Sequence, residues 1–170
     1  MTRLLGCVVL TMLLSAGCKS ARPDAGRTAE TGRQLLRYAT ACYALFDSGG
    51  QPASDSLFGA PGAVRLDTVP VDAFGEPGVY RAVSLDTTGH EMTSRPSQVF
   101  AGGVWSLHGS PDTLRLRFHD GFSGTVFNLV PVDKAGDTLT GHAIESFDAG
   151  PTTRHDGVRA VRAPCTSGQM

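Results

Sequence analysis

The 170-residue sequence has no apolar run long enough to cross a bilayer as a helix. Its longest apolar run, over residues 4–14, falls well short of the roughly 20 residues that a spanning helix needs. The sequence also has no cluster of Lys or Arg, and its 15 basic residues nearly balance its 16 acidic residues. Because nucleic-acid binding normally requires a basic patch, we expect neither a retained transmembrane helix nor a nucleic-acid partner.

Motifs for metal binding and catalysis are missing as well. The five histidines are scattered, and no His-x-His, His-Glu-x-x-His or Cys-x-x-Cys spacing is present. Ser106 lies two residues before His108, but the segment lacks the glycines of a Gly-x-Ser-x-Gly nucleophile elbow. Residues two apart on a strand share one face, so a hydrolase that uses Ser106 and His108 stays open as an alternative. We predict no metal, no cofactor and no enzymatic activity.

The chain also lacks the strand–helix alternation of α/β nucleotide-binding folds. It has instead about eight short strand patterns, each bounded by turn residues such as Gly, Pro, Asp and Ser. These patterns cover residues 42–46, 64–68, 79–86, 99–108, 114–119, 125–132, 138–146 and 157–163. The fourth is interrupted at Gly102-Gly103, which predicts a bulge or bend. A short helix is predicted near residues 32–40 and a long loop over residues 47–62. The pattern predicts an all-β domain, either an antiparallel barrel of about eight strands or a sandwich.

The clearest pattern is a three-strand meander over residues 112–145. Its apolar residues alternate with charged or polar ones, and alternate side chains on a strand point to opposite faces. We predict that one set faces the interior, namely Leu114, Leu116, Phe118, Phe127 and Leu129. The set predicted to face outward on the first of these strands is Arg115, Arg117 and His119.

Four aromatic residues are candidates for lining a ligand cavity: Tyr80, Trp105, Phe118 and Phe127. An eight-stranded barrel either fills with side chains or encloses one small ligand, so the sequence leaves both a packed core and a cavity open. Lipocalins carry a Gly-x-Trp motif near their first strand, whereas residues 42–45 here are Cys-Tyr-Ala-Leu. Only a lipocalin-like architecture is therefore predicted.

The first twenty residues have the features of an export signal. Arg3 precedes the apolar run, and small residues precede Cys18. The segment Ser-Ala-Gly-Cys at residues 15–18 resembles the lipobox of bacterial lipoproteins, in which the cysteine is lipidated and becomes the mature N-terminus. This resemblance implies a lipid anchor on Cys18, and Lys19 directly after it implies the periplasmic face of the outer membrane.

Cysteine usage agrees with export. Cys7 leaves with the signal and Cys18 is assigned to lipid, so Cys42 and Cys165 remain and are predicted to form a disulfide. The predicted organisation is a signal peptide over residues 1–17, the lipidated cysteine and a tether over 18–30, the β domain over 31–165 and a tail over 166–170.

These expectations combine into a lipid-anchored envelope protein that acts by binding, with the membrane as one partner. The predicted ligand is a small apolar molecule inside the barrel. The alternatives are an inhibitor-type β-barrel lipoprotein that binds an envelope protein, and the hydrolase described above.

Overall fold

The computed structural model describes residues 35–72, 78–86, 88–92, 103–109, 112–119, 122–148 and 150–165. The predicted signal peptide, lipobox, tether and C-terminal tail lie outside these residues, as do Val99 and Phe100. Eight antiparallel strands form a closed barrel in which each strand pairs with the next and the last pairs with the first. The strands are β1 (Cys42–Phe46), β2 (Ala63–Pro70), β3 (Tyr80–Leu85), β4 (Gly103–His108), β5 (Thr113–His119), β6 (Gly124–Pro131), β7 (Thr138–Ser146) and β8 (Thr153–Ala163). The predicted all-β class and barrel are confirmed, and the sandwich alternative is wrong.

The meander β5–β6–β7 has the predicted facing. Leu114, Leu116 and Phe118 are buried, and the basic residues between them are partly exposed. Leu116 pairs with Phe127 and Leu114 pairs with Leu129, which places all five predicted interior residues in one core. The alternation of apolar and polar residues therefore predicted correctly which side chains of this part of the wall face the interior.

The predicted start of the last strand is wrong because of a glycine, whereas the predicted bend in the fourth strand lies partly outside the described residues, which exclude Gly102. From Gly103 onward β4 is regular: Gly103 pairs with Ala82, and its lack of a side chain leaves room for the ring of Phe118. β8 begins at Thr153, four residues earlier than predicted. Gly157 has a φ of 78° and lies opposite a register shift between Gly141 and His142, which is a β-bulge inside a longer strand.

One end of the barrel, the termini end, carries the segment before β1, the chain after β8 and the β6–β7 turn. Residues 35–38 are helical and residues 39–40 form a turn, so the predicted helix ends two residues early, and buried Tyr38 closes the interior. The Tyr43 hydroxyl donates a hydrogen bond to the Gly136 carbonyl (2.8 Å), and burial raises the pKa of Tyr43. Cys42 and Cys165 form the predicted disulfide, with Cα atoms 5.4 Å apart.

The opposite end is closed by the β1–β2 connection. The sequence predicted a long irregular loop here, but the segment contains a helical turn, α1 (Ala53–Ser56). We call residues 52–60 the plug, because Ala53, Leu57 and Ala60 are buried in the barrel core. Small and apolar side chains spaced along this loop therefore seal the second mouth, which we call the plug end.

Candidate functional site

The four predicted ligand-lining residues face the barrel interior and contribute to its core. Trp105 and Phe127 have no exposed surface, Phe118 is buried and Tyr80 is partly buried. The rings form two pairs, Tyr80 with Trp105 at 5.1 Å and Phe118 with Phe127 at 6.1 Å between centroids. The Trp105 indole N–H donates to the Asp67 carbonyl at 2.8 Å. These aromatics pack against one another and their neighbours in the closed barrel, so a ligand that contacted them would have to displace some of these groups.

A polar group that no sequence motif predicted lies inside the plug end. Thr125 on β6 pairs with Glu145 on β7, and both side chains share the interior face with Phe127 and Ala143. His155 on β8 pairs with Ala143, and its ring Nε2 lies 2.6 Å from Glu145 Oε2. Glu145 is only 8% exposed. A buried carboxyl group in an otherwise apolar barrel requires hydrogen-bonding partners, because its desolvation is costly.

The plug supplies the remaining partners. The backbone N–H of Phe58 donates to Glu145 Oε1 at 2.5 Å. The Thr125 hydroxyl donates to the Phe58 carbonyl at 2.6 Å. Both backbone groups of one plug residue are therefore fixed by two inward-facing side chains of the wall. We call this arrangement of Phe58, Thr125 and Glu145 the latch.

Different signals could have revealed the latch residues. Thr125 shares the parity of Phe127 and Leu129, so the alternation already pointed it inward, whereas no inner face was predicted for the strand that carries Glu145. His155 preceded the predicted start of β8, and with regular alternation it would face opposite to Val158 and Ala160. The bulge at Gly157 reverses that parity and turns His155 inward, which a period-two pattern does not reveal.

Three exposed aromatic residues lie in the connections at the plug end. The ring of Phe58 lies 5.2 Å from that of Phe147, and the two residues are 45% and 40% exposed. Phe122, in the neighbouring β5–β6 turn, is 74% exposed. Large apolar groups at a protein surface commonly mark sites of interaction, so the plug end carries both a buried polar group and an exposed aromatic rim.

The Ser106 and His108 side chains lie on the outer face of β4 and are in contact. His108 Nε2 is 3.1 Å from Ser106 Oγ, as their shared strand face predicted. Ser106 is only 4% exposed, however, and its strand neighbour Arg115 donates to the Asn128 side chain at 3.0 Å. The pair belongs to a polar row across the outer wall, where the serine hydroxyl presents little surface to a substrate.

Asp67, also on the outer wall, lies between two arginines. Arg65 Nε is 3.0 Å from one carboxylate oxygen and Arg81 Nε is 2.9 Å from the other. Burial by itself would raise the pKa of Asp67, but the hydrogen bonds from Arg65 and Arg81 outweigh it and hold the pKa below its ordinary value. Asp67 therefore joins β2 to β3 as a carboxylate.

An open groove of about 490 Å³ lies at the termini end, beside the disulfide. Leu36, Arg37 and Arg162 are among its lining residues, and none of the four predicted ligand-lining aromatics is. Arg37 donates to the Lys134 carbonyl, and Arg162 donates to the Arg37 carbonyl. The groove's two guanidinium groups are therefore engaged in holding the N-terminal segment to the barrel.

Within the part of the chain that the structure describes, no three His, Cys, Asp or Glu side chains converge where they could hold a metal ion. No helix among the same residues is long and apolar enough to span a membrane.

Comparisons with models of known protein families, with curated proteins and with solved structures gave no match. The function of this barrel has to be inferred from its own chemistry.

Proposed function

We propose that this protein is a lipid-anchored envelope protein that acts by binding a small apolar ligand, without catalysis. The observation that carries the proposal is a closed eight-stranded barrel whose apolar interior is sealed at one end by a loop. Barrels of this size are built to hold either packed side chains or one small ligand. A seal made by a loop, instead of by the wall itself, is a seal that can open.

Ligand binding in this barrel requires the plug to move. Ala53 and Leu57 occupy the core at the plug end, and the plug's backbone is held to the wall by the latch at Phe58 and by a β-bridge between Pro52 and Phe46. Loops held by few contacts open at a small fraction of the free energy of global unfolding. We therefore place the ligand where the buried plug side chains lie, with its far end toward Phe127 and Trp105.

The anchor rests on the lipobox-like segment at residues 15–18 and on the disulfide, which is typical of exported proteins. A lipid-modified Cys18 would attach the chain to the membrane, and Lys19 favours the outer membrane. The N-terminal segment joins the barrel at the termini end. The plug end would then be at the opposite end of the barrel from the attachment point.

Replacement of Cys18 by Ser tests the anchor. We expect the variant to lose incorporation of radiolabelled fatty acid and to leave the membrane fraction, because a thiol is required for lipid attachment. A Cys7→Ser control should be lipidated normally. Fatty-acid labelling of the Cys18→Ser protein would refute the anchor.

The chain offers its own reporter for ligand binding, since Trp105 is its one tryptophan and is fully buried. We expect a brominated fatty acid, added to the mature chain with Ser at position 18, to quench Trp105 fluorescence saturably. Because Arg115 faces outward, the fluorescence of the Arg115→Ala variant should be quenched as in the parent chain. Quenching that rises linearly without saturation would contradict a defined interior site.

The second candidate function is binding of an envelope protein, as in inhibitor-type barrel lipoproteins. It is favoured by the exposed rim of Phe58, Phe122 and Phe147, because aromatic residues are enriched at protein interfaces. Photocrosslinking in intact cells from position 122 would test it, with capture of one specific partner expected. A hydrolase is not favoured, because the Ser106 hydroxyl is buried on the outer wall. The absence of Ser106 labelling by a fluorophosphonate would agree with this choice.

A further inference from the structure

We infer that the plug end is a recognition site for an N-acylated amino acid or peptide, and that Phe58 occupies this site in the closed barrel. The inference rests on the proposed function, because it names the chemical class of the apolar ligand. It follows from the backbone groups that the latch binds and from the side chains on either side of them.

The two hydrogen bonds of the latch require an N–H group and a carbonyl group in a specific relation. The N–H and the carbonyl that they bind belong to the same residue, so one tetrahedral carbon separates the two peptide groups that carry them. Glu145 Oε1 requires a donor, and the Thr125 hydroxyl, as used here, requires an acceptor. A free fatty acid has no N–H to offer Glu145. An N-acylated amino acid offers both groups in the same relation as Phe58 does.

The neighbours of Phe58 indicate where the rest of such a ligand would lie. Leu57 precedes Phe58 and is buried in the core, so the chain on the N–H side leads into the barrel. An acyl group on the ligand's nitrogen would follow this path. The Phe58 ring rests against Phe147 and is nearly half exposed, so the side chain of the amino acid would lie at the rim.

The polar side chains of the latch are more than a packed plug needs. An apolar side chain at position 145 would seal the mouth without the desolvation cost of a buried carboxyl group. Instead, Glu145 is oriented by His155 on one oxygen and presents the other toward the Phe58 N–H. This is the arrangement of an acceptor held ready for an N–H donor, and the plug satisfies it when no ligand is bound.

Two probes of nearly the same shape test the inference on the unmodified site. The first is N-dodecanoyl-phenylalanine methyl ester, and the second is its analogue in which an ester oxygen replaces the amide N–H. Binding to the mature chain would be measured by calorimetry and by Trp105 fluorescence. A hydrogen bond to a charged group contributes about 1.5–3 kcal/mol, so we expect the amide to bind roughly ten- to a hundredfold more tightly.

Variants assign the preference to the latch. Glu145→Gln should reduce the ratio of the amide probe's affinity to the ester probe's affinity severalfold, because the charge that strengthens the hydrogen bond from the N–H is lost. Thr125→Val should weaken the binding of both probes by a similar factor, since both probes retain the carbonyl group that accepts from Thr125. Thr140→Val is the matched control, because Thr140 lies on β7 and its hydroxyl donates to the Val158 carbonyl, away from the latch. It should leave both affinities unchanged.

The outcomes separate this inference from the proposed function. Equal affinity for the two probes, or binding of the brominated fatty acid but of neither probe, would overturn the inference and leave an apolar-ligand barrel. Failure of all three compounds to bind would overturn both. The comparison of the probes on the unmodified site needs no variant, so a latch variant that failed to fold would not prevent a decision.

Discussion

The two ends of the barrel are closed in different ways. At the termini end, a covalent bond joins Cys42 to Cys165, and Tyr43 and Arg37 bind the β6–β7 turn. At the plug end, the closure consists of a few buried side chains, the latch around Phe58 and a β-bridge that joins the first residue of the plug to β1. The first closure includes a covalent bond, whereas the second consists only of noncovalent contacts. Under the proposed function, the barrel opens at the plug end.

The largest effect on stability is expected from a substitution in the barrel wall, which both ends share. Replacing Phe127 by Ala should lower the free energy of unfolding by about 3–5 kcal/mol, through lost burial and the cavity left behind. Arg115→Ala, a change on the outer face, should stay within about 0.5 kcal/mol. Chemical denaturation measures both. Equal, small effects would show that the interior face has been assigned wrongly.

Breaking the disulfide should remove the covalent difference between the ends. We expect the pair Cys42→Ser and Cys165→Ser to lower the free energy of unfolding by about 2–4 kcal/mol, because the bond closes a long loop. Hydrogen exchange should then become faster first in residues 38–43, while plug amides change little. If hydrogen exchange became as much faster in the plug amides as at the termini end, the two ends would not be closed independently.

A smaller effect should appear when the latch is weakened. Thr125→Val leaves the Phe58 carbonyl without its donor and should cost about 1–3 kcal/mol. The amides of residues 57–60 should exchange faster, whereas amides near the disulfide keep their protection. The Thr140→Val protein serves as the control. Unchanged exchange in the plug would mean that the buried apolar side chains alone hold it closed.

The smallest effect concerns acid and the outer wall. The pKa of Asp67 is lowered in the folded barrel, so its pairing with Arg65 and Arg81 stabilises the fold above the unfolded pKa of about 3.9. That contribution is lost as the pH falls through the lower, folded value. We expect Asp67→Asn to be less stable than the parent near neutral pH and to lose less stability below about pH 4. Parallel stability curves would show that Asp67 is not linked to the acid response.

Much of the barrel followed from local patterns in the sequence. The alternation at Leu114, Leu116 and Phe118 set the orientation of β5, because side chains on a strand must alternate. The disulfide could be predicted from the number of cysteines, since only Cys42 and Cys165 remain once one cysteine is assigned to the signal peptide and one to the lipid anchor. Both conclusions depend on features that are visible within a short stretch of chain or in the composition.

The candidate site was harder to predict, because its parts come from distant segments. Phe58 is separated from Thr125 and Glu145 in the chain, and nothing in residues 52–60 indicated that they would enter the barrel mouth. The sequence likewise did not show that Gly103 makes room for the ring of Phe118. Such contacts depend on which segments meet when the barrel closes, and closure is a property of all eight strands together.

The sequence by itself determined the approximate positions of the strands, the inner faces of β5 and β6 and the pairing of the two cysteines, because these depend on periodicity and composition. The tertiary structure alone decided that the chain closes as a barrel and not as a sandwich. It also decided that the β1–β2 connection docks as a plug and that the Gly157 bulge turns His155 toward Glu145. The physical reason is that a one-residue bulge reverses the facing of every residue before it, and that buried polar groups find their partners only when remote segments meet.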